Sequence, residues 1–199
     1  MVLPVRAAGH VEASRAIAVR VIDRVGVPLT IRQRALEQAA RLFERVDVTI
    51  VWDNSNRLTS VPSRLLVVDL NVLDHGDHSL PTGNVLGSAT PSPIVPTISV
   101  FYGDVQELAH TFGVPPEVLF GSVIAHELGH LLLGPRAHTR LGLMRPVWTR
   151  TDVVYGVAQG QFRFSAAEGE RMRRRLQSSR RCEFGTAERT ASLVVCPAD

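Results

Sequence analysis

The chain has no lysine: its 22 basic residues are all arginine, set against 19 acidic ones for a net charge of +3. That near-balance gives a nucleic acid little to hold, and the missing lysine reads as codon bias. Aromatics are scarce, at 6% of 199 residues. The densest basic cluster, Arg171, Arg173, Arg174, Arg175, Arg180 and Arg181, has no interleaved rings for bases to stack on, so it reads as a solvated helix face and no nucleic-acid partner is expected. No apolar run approaches the ~18 residues of a membrane-spanning helix. The Met1–Val5 stretch is too short for a complete signal peptide.

Cysteine is nearly absent too, with only Cys182 and Cys196. In an exported protein a disulfide between them would staple the tail and contribute about 3 kcal/mol at that loop length. The pair therefore tilts the expected location toward secreted or periplasmic.

What is present is ordinary globular material, 45% hydrophobic and 21% charged, at a length that suits one domain. β-branched apolar runs predict strands at Ala16–Ile22, Val46–Trp52, Leu65–Val72 and Thr97–Tyr102, with a short edge strand at Asn84–Thr90 between flanking prolines. Leu36, Ala39, Ala40 and Phe43 have helical spacing between Ile31 and Arg45, and Thr30 with Gln33 forms a T-x-x-Q capping box ahead of them. A central helix is predicted from Pro116 to Leu133, ended by Gly134-Pro135. The chain then turns irregular until the Ser165-x-x-Glu168 capping box opens a last helix to about Gln177. This order predicts an α+β domain, a mixed twisted sheet with helices packed on it and a small irregular C-terminal part.

Inside the central helix stands His126-Glu127-Leu128-Gly129-His130, an H-E-x-x-H motif. Residues four apart share a helix face, so both imidazoles can reach one ion. Zinc takes nitrogen ligands at about 2.0–2.1 Å and in catalytic sites leaves one position for water. Glu127 can point at that water. With 7 His and 10 Glu in the chain, a chance match has a probability of roughly 1%. The apolar flanks Val123-Ile124-Ala125 and Leu131-Leu132-Leu133 bury the helix, where two histidines and a glutamate are expensive without a metal. A third ligand is available at His138, past the Gly134 break, with Glu168 or Glu170 as rivals.

The H-E-L-G-H, the glycine, the third histidine and the later Gly142-Leu143-Met144-Arg145-Pro146 together resemble the metzincin clan of zinc metallopeptidases, nearest to matrixins. The usual spacing is H-E-x-x-H-x-x-G-x-x-H; here one extra residue precedes Gly134 and one precedes His138. The resemblance implies a zincin fold and one catalytic domain over residues 1–199, with an upper lobe over about 12–134 and a lower lobe over about 135–199. It also implies a Zn2+ held by His126, His130 and His138 above a Met-turn at Met144. A zinc-bound water activated by Glu127 would then cut a peptide or protein substrate lying along the edge strand. No Tyr role carries over, since Tyr155 is the only tyrosine after Met144. The alternatives are a catalytically inactive zinc-binding interaction domain and a thermolysin-like site with Glu168 as third ligand. A monomer is expected. Asp74-His75-Gly76-Asp77-His78 reads as a solvated turn or a second metal site, His10 and His110 have no visible partners, and Trp148 reads as packing core.

Overall fold

The computed structural model describes residues 15–53, 65–76 and 85–185, with side chains up to residue 178. The expected strands become β1 (Ala16–Asp23), β2 (Thr49–Asp53), β3 (Leu66–Leu73), β4 (Gly87–Thr90) and β5 (Thr97–Phe101). They form one mixed sheet in the order β2-β1-β3-β5-β4. All neighbours run parallel except β4, which is antiparallel to β5 at the sheet edge, with Ala89 opposite Ile98. Ile17, Leu70, Ile98 and Val100 have no exposed surface, so the parallel part is a continuous apolar layer.

The first helix, α1 (Leu29–Glu44), begins two residues earlier than the expected capping box places it. Pro28 is its N-cap, and no side chain caps it, so the Thr30–Gln33 box is not formed. The reason lies in the preceding turn. The Asp23 carboxylate accepts the Val25, Gly26 and Val27 amides at 3.1, 2.9 and 3.0 Å, and Arg32 pairs with it at 2.8 Å. With the chain's entry set by Asp23 and the fixed φ of proline, Thr30 already lies inside the helix. Val46 and Val48, expected in the second strand, belong to the turn that closes α1 on Phe43 O.

Two helices were not expected. α2 (Tyr102–Phe112) follows β5 with no linker, so Tyr102 is helical rather than the end of a strand. α4 (Arg150–Ala158) occupies part of the segment expected to be irregular, opened by a capping box between Thr149 and Asp152. The central helix α3 (Pro116–Leu133) matches its expected bounds, and α5 (Ala166–Gly185) starts at the Ser165 box and runs beyond Gln177. There Glu168 accepts the Ser165 amide at 2.7 Å and Ser165 accepts the Glu168 amide at 3.3 Å. The result is a mixed α/β fold in which α3 is packed between the sheet, α1 and the segment after Gly134, buried from Leu119 to Leu132.

The arginine face of α5 is not wholly solvated. Arg171 donates to Leu133 O at 3.0 Å and Arg173 to Val46 O at 2.7 Å, closing the C-terminal ends of α3 and α1. No helix among the described residues is long and apolar enough to cross a membrane. Cys182 has no described side chain and Cys196 lies outside the described residues, as do Asp77, His78, Asn84 and His10.

Candidate metal centre and cleft

Because α3 is apolar on nearly all sides, whatever polar groups it carries are held in a dry setting. His126, Glu127 and His130 are 8%, 7% and 9% exposed. One helical turn brings the Nε2 atoms of His126 and His130 to 3.0 Å from each other. Gly134, at φ +103°, then takes the chain out of the helix through a conformation side chains rarely adopt. A turn closed by the Ala137 amide on Gly134 O at 3.2 Å follows, and returns His138 to the other two. The three histidines each offer a ring nitrogen, and these atoms all lie within 4.8 Å of one another. They are the metal-capable group among the described residues; Glu168 and Glu170 are not in it. Glu168 is engaged in its capping box, and Glu170 pairs with Arg174 at 3.7 Å.

The backbone sets the ring orientations. His126 Nδ1–H donates to Leu143 O at 2.8 Å, and His130 Nδ1–H donates to Gly134 O at 3.3 Å. A carbonyl can only accept, so both neutral rings carry their proton on Nδ1 and turn an Nε2 lone pair inward. Two lone pairs 3.0 Å apart repel unless a proton or a cation lies between them. A proton is disfavoured: burial pushes His126 down to about 4 and lowers His130, and the neighbouring histidines push the same way. The donor set therefore fits a divalent metal that accepts imidazole, and in a tetrahedral zinc site two such nitrogens stand about 3.3 Å apart.

Glu127 lies beside this group on the edge-strand side, where burial pushes its carboxyl up to about 7. A Cβ built on Gly87 of β4 would lie 2.8 Å from Glu127 Cγ. The edge strand thus runs directly against this carboxylate. Beneath the helix, Met144 has no exposed surface, and a Cβ on Gly129 would lie 2.7 Å from its Sδ. Met144 sits in a turn in which the Thr139 amide donates to Met144 O at 2.9 Å and the Arg145 amide to Gly142 O at 3.4 Å.

Between β4 and this turn lies a cleft of about 790 Å3, with the three histidines and Glu127 on its floor. Its far wall includes Arg145, paired with Asp152, and Trp148. Trp148, expected to be packing core, does pack on Phe162, but it also lines the cleft and meets the His126 ring edge-on at 5.4 Å. Its indole donates to Leu143 O at 3.2 Å, the same carbonyl that orients His126. The sequence reading missed Gly87 and the Leu143 carbonyl. A glycine within a predicted edge strand is a signal of close approach; a main-chain carbonyl leaves none.

The other polar candidates lie elsewhere. Tyr155 is 59% exposed on α4 and does not line the cleft. His110 is exposed in the last turn of α2. His75 is bound through Nδ1 to the buried Asp104 carboxylate at 2.8 Å, which raises its pKa, and Asp104 also accepts the Gly76 amide at 2.8 Å. That contact ties the end of β3 to the start of α2.

No protein-family model matches the chain, and no curated protein matches it by sequence. A solved structure is similar to it: a zinc-dependent peptidase from Methanocorpusculum labreanum (strain Z), with a TM-score of 0.50. Identity is 13%, and the likeness covers 77% of this chain and 99% of the other. At that identity the likeness is one of fold.

Proposed function

We propose that the chain is a zinc-dependent endopeptidase of the metzincin, matrixin-like type, with His126, His130 and His138 as ligands, Glu127 as general base and Met144 in the Met-turn. A single catalytic domain over residues 1–199 goes with this reading, the segment after Gly134 forming its lower lobe. One observation carries it: inward-facing Nε2 lone pairs 3.0 Å apart, with a third imidazole in reach, beside a buried carboxyl raised to about 7. The fold likeness to a zinc-dependent peptidase supports it.

Zinc held there would supply a Lewis acid for a water molecule and for the scissile carbonyl. The protein's own groups do the rest. Glu127 takes the proton of the attacking water and delivers it to the leaving amine. The carbonyls of Leu143 and Gly134 hold the imidazoles in the tautomer that points Nε2 at the metal. β4, at the sheet edge among the described residues, offers its main chain to an extended peptide, which β-augmentation would lay across the cleft above Glu127.

The test is zinc stoichiometry together with Glu127→Gln. One zinc per chain is expected, and the variant should keep it while losing at least ~10²-fold of the hydrolysis of an unstructured protein. A protein that neither contains nor takes up zinc refutes the reading. Wild type no more active than Glu127→Gln, with zinc bound in both, would leave the inactive zinc-binding domain in its place.

A further inference from the structure

Past His138 the cleft continues into a second recess of about 370 Å3, which shares Pro135 and His138 with the first. Its charged lining is Arg136 and Arg171, with no acidic residue. Arg171 spends one N–H on Leu133 O at 3.0 Å, which anchors its guanidinium at the end of α3 and leaves its other donors available. Neither arginine is paired with a carboxylate among the described residues, whereas Arg145 in the first recess is neutralised by Asp152. The charge of the whole chain is divided the same way. Residues 134–199 hold twelve arginines against six acidic residues, and residues 1–133 hold ten against thirteen.

We propose that this recess is a subsite for an acidic side chain of a bound peptide, so that the substrates of this cleft carry Asp or Glu within a few residues of the bond nearest the metal centre. The word substrate rests on the peptidase reading above; the recess as a carboxylate site does not. The C-terminal end of α3 opposes an anion with about half an elementary charge. Two guanidinium groups outweigh it, and Arg171 already covers one of the carbonyls responsible. A carboxylate accepting from one or both guanidinium forks makes charge-assisted hydrogen bonds that a neutral amide of the same shape cannot.

The experiment uses zinc-loaded full-length Glu127→Gln protein and fluorescein-labelled short peptides in which a single Glu is walked along the chain, each paired with its Gln counterpart. At one stretch of positions the Glu peptide should bind about tenfold tighter than the Gln peptide at low salt, and the difference should shrink as salt rises. Arg136→Gln with Arg171→Gln should abolish the difference and leave the affinity of the Gln peptides unchanged. Arg136→Gln alone, which removes no described hydrogen bond, should remove part of it if the double variant is unstable. No preference at any position, or a preference that survives the double variant, overturns the proposal. Cleavage of the same peptides by wild type separates the two readings. Preference without cleavage supports the recess and refutes the peptidase, while cleavage without preference refutes the recess alone.

Discussion

Replacing Gly87 by alanine adds one carbon against the side chain proposed as general base. That carbon would lie 2.8 Å from Glu127 Cγ, 3.0 Å from Glu127 Oε1 and 2.9 Å from Ser99 O. Carbon atoms pack at about 3.5 Å or more, so one partner must retreat by roughly 0.7 Å. Ser99 O is main chain of β5, whose residue is in register with Ser88 of β4, and moving it loosens the ladder. The Glu127 backbone is fixed inside a buried helix, so the yielding falls to its side-chain torsions, which swing the carboxylate off its line. A misplacement of order 1 Å at a reacting group can cost ~10²-fold, so kcat of Gly87→Ala should fall roughly 10- to 100-fold while KM stays within about threefold. Zinc content should not change, because the three atoms nearest the added carbon belong to Glu127 and Ser99 and not to the histidines.

Steady-state kinetics on a cleaved peptide, zinc stoichiometry and a melting curve, with Ala89→Gly on the same strand as control, form the assay. A kcat equal to wild type refutes the steric argument. A rise in KM alone refutes it differently: β4 would have moved away and taken the peptide-pairing edge with it, leaving Glu127 in place.

Other outcomes follow from the same geometry. His138→Ala should weaken zinc binding strongly, measured by chelator competition, whereas Glu168→Ala should keep one zinc and lose only the ~1 kcal/mol typical of a helix cap; the opposite pattern would restore Glu168 as third ligand. Gly129→Ala drives a carbon to 2.7 Å from Met144 Sδ, an overpacking expected to lower stability by about 1–3 kcal/mol; an unchanged melting temperature would show that Met144 is not held against the helix. In zinc-free protein the Glu127 carboxyl is raised from 4.5 to about 7, so the folded state holds a proton that the unfolded chain gives up across that range. Stability from this group is therefore full below 4.5 and lost as pH rises to about 7, a loss of about 3 kcal/mol. Zinc-free Glu127→Gln should melt above zinc-free wild type at pH 8, with the gap closed near pH 4.5; a gap independent of pH would sink the assignment.

The parts of the fold legible in advance were those where one residue pattern had one physical reading. Ile17, Val19, Val68 and Val72 are buried β-branched residues that share one face of the sheet, and Pro116 with Gly134 bracket a helix too apolar to lie anywhere but inside. α2 escaped because Phe101 serves as both strand end and helix N-cap, with no turn residue between them, although Val105, Leu108, Ala109 and Phe112 have helical spacing. α4 escaped because its capping box is closed by aspartate rather than by Glu or Gln. The Thr30–Gln33 box looked valid in one dimension and failed in three, because Asp23, seven residues upstream of Thr30, controls the entry. Of the site, the helical pair was readable from its four-residue spacing. The Leu143 carbonyl that orients His126 and receives the Trp148 indole was not, since any residue could have supplied it.

The third histidine shows why spacing alone underdetermines a candidate metal site. Relative to the metzincin pattern this chain has one extra residue before Gly134 and one after it, and each is absorbed locally. The first extends α3 to Leu133, with the Gly134 amide still bonded to His130 O at 2.9 Å. The second is taken up in the turn that the Ala137 amide closes on Gly134 O at 3.2 Å. An extended insertion of two residues would have carried His138 about 7 Å away; coiled into a helix end and a turn, it leaves the His138 ring 4.7 Å from His130 and 5.6 Å from His126. The same turn exposes Arg136 to the second recess. The longer loop therefore keeps His138 in reach of the other two histidines and also places Arg136 at the second recess, which ties the departure in spacing to the proposed preference for acidic peptides.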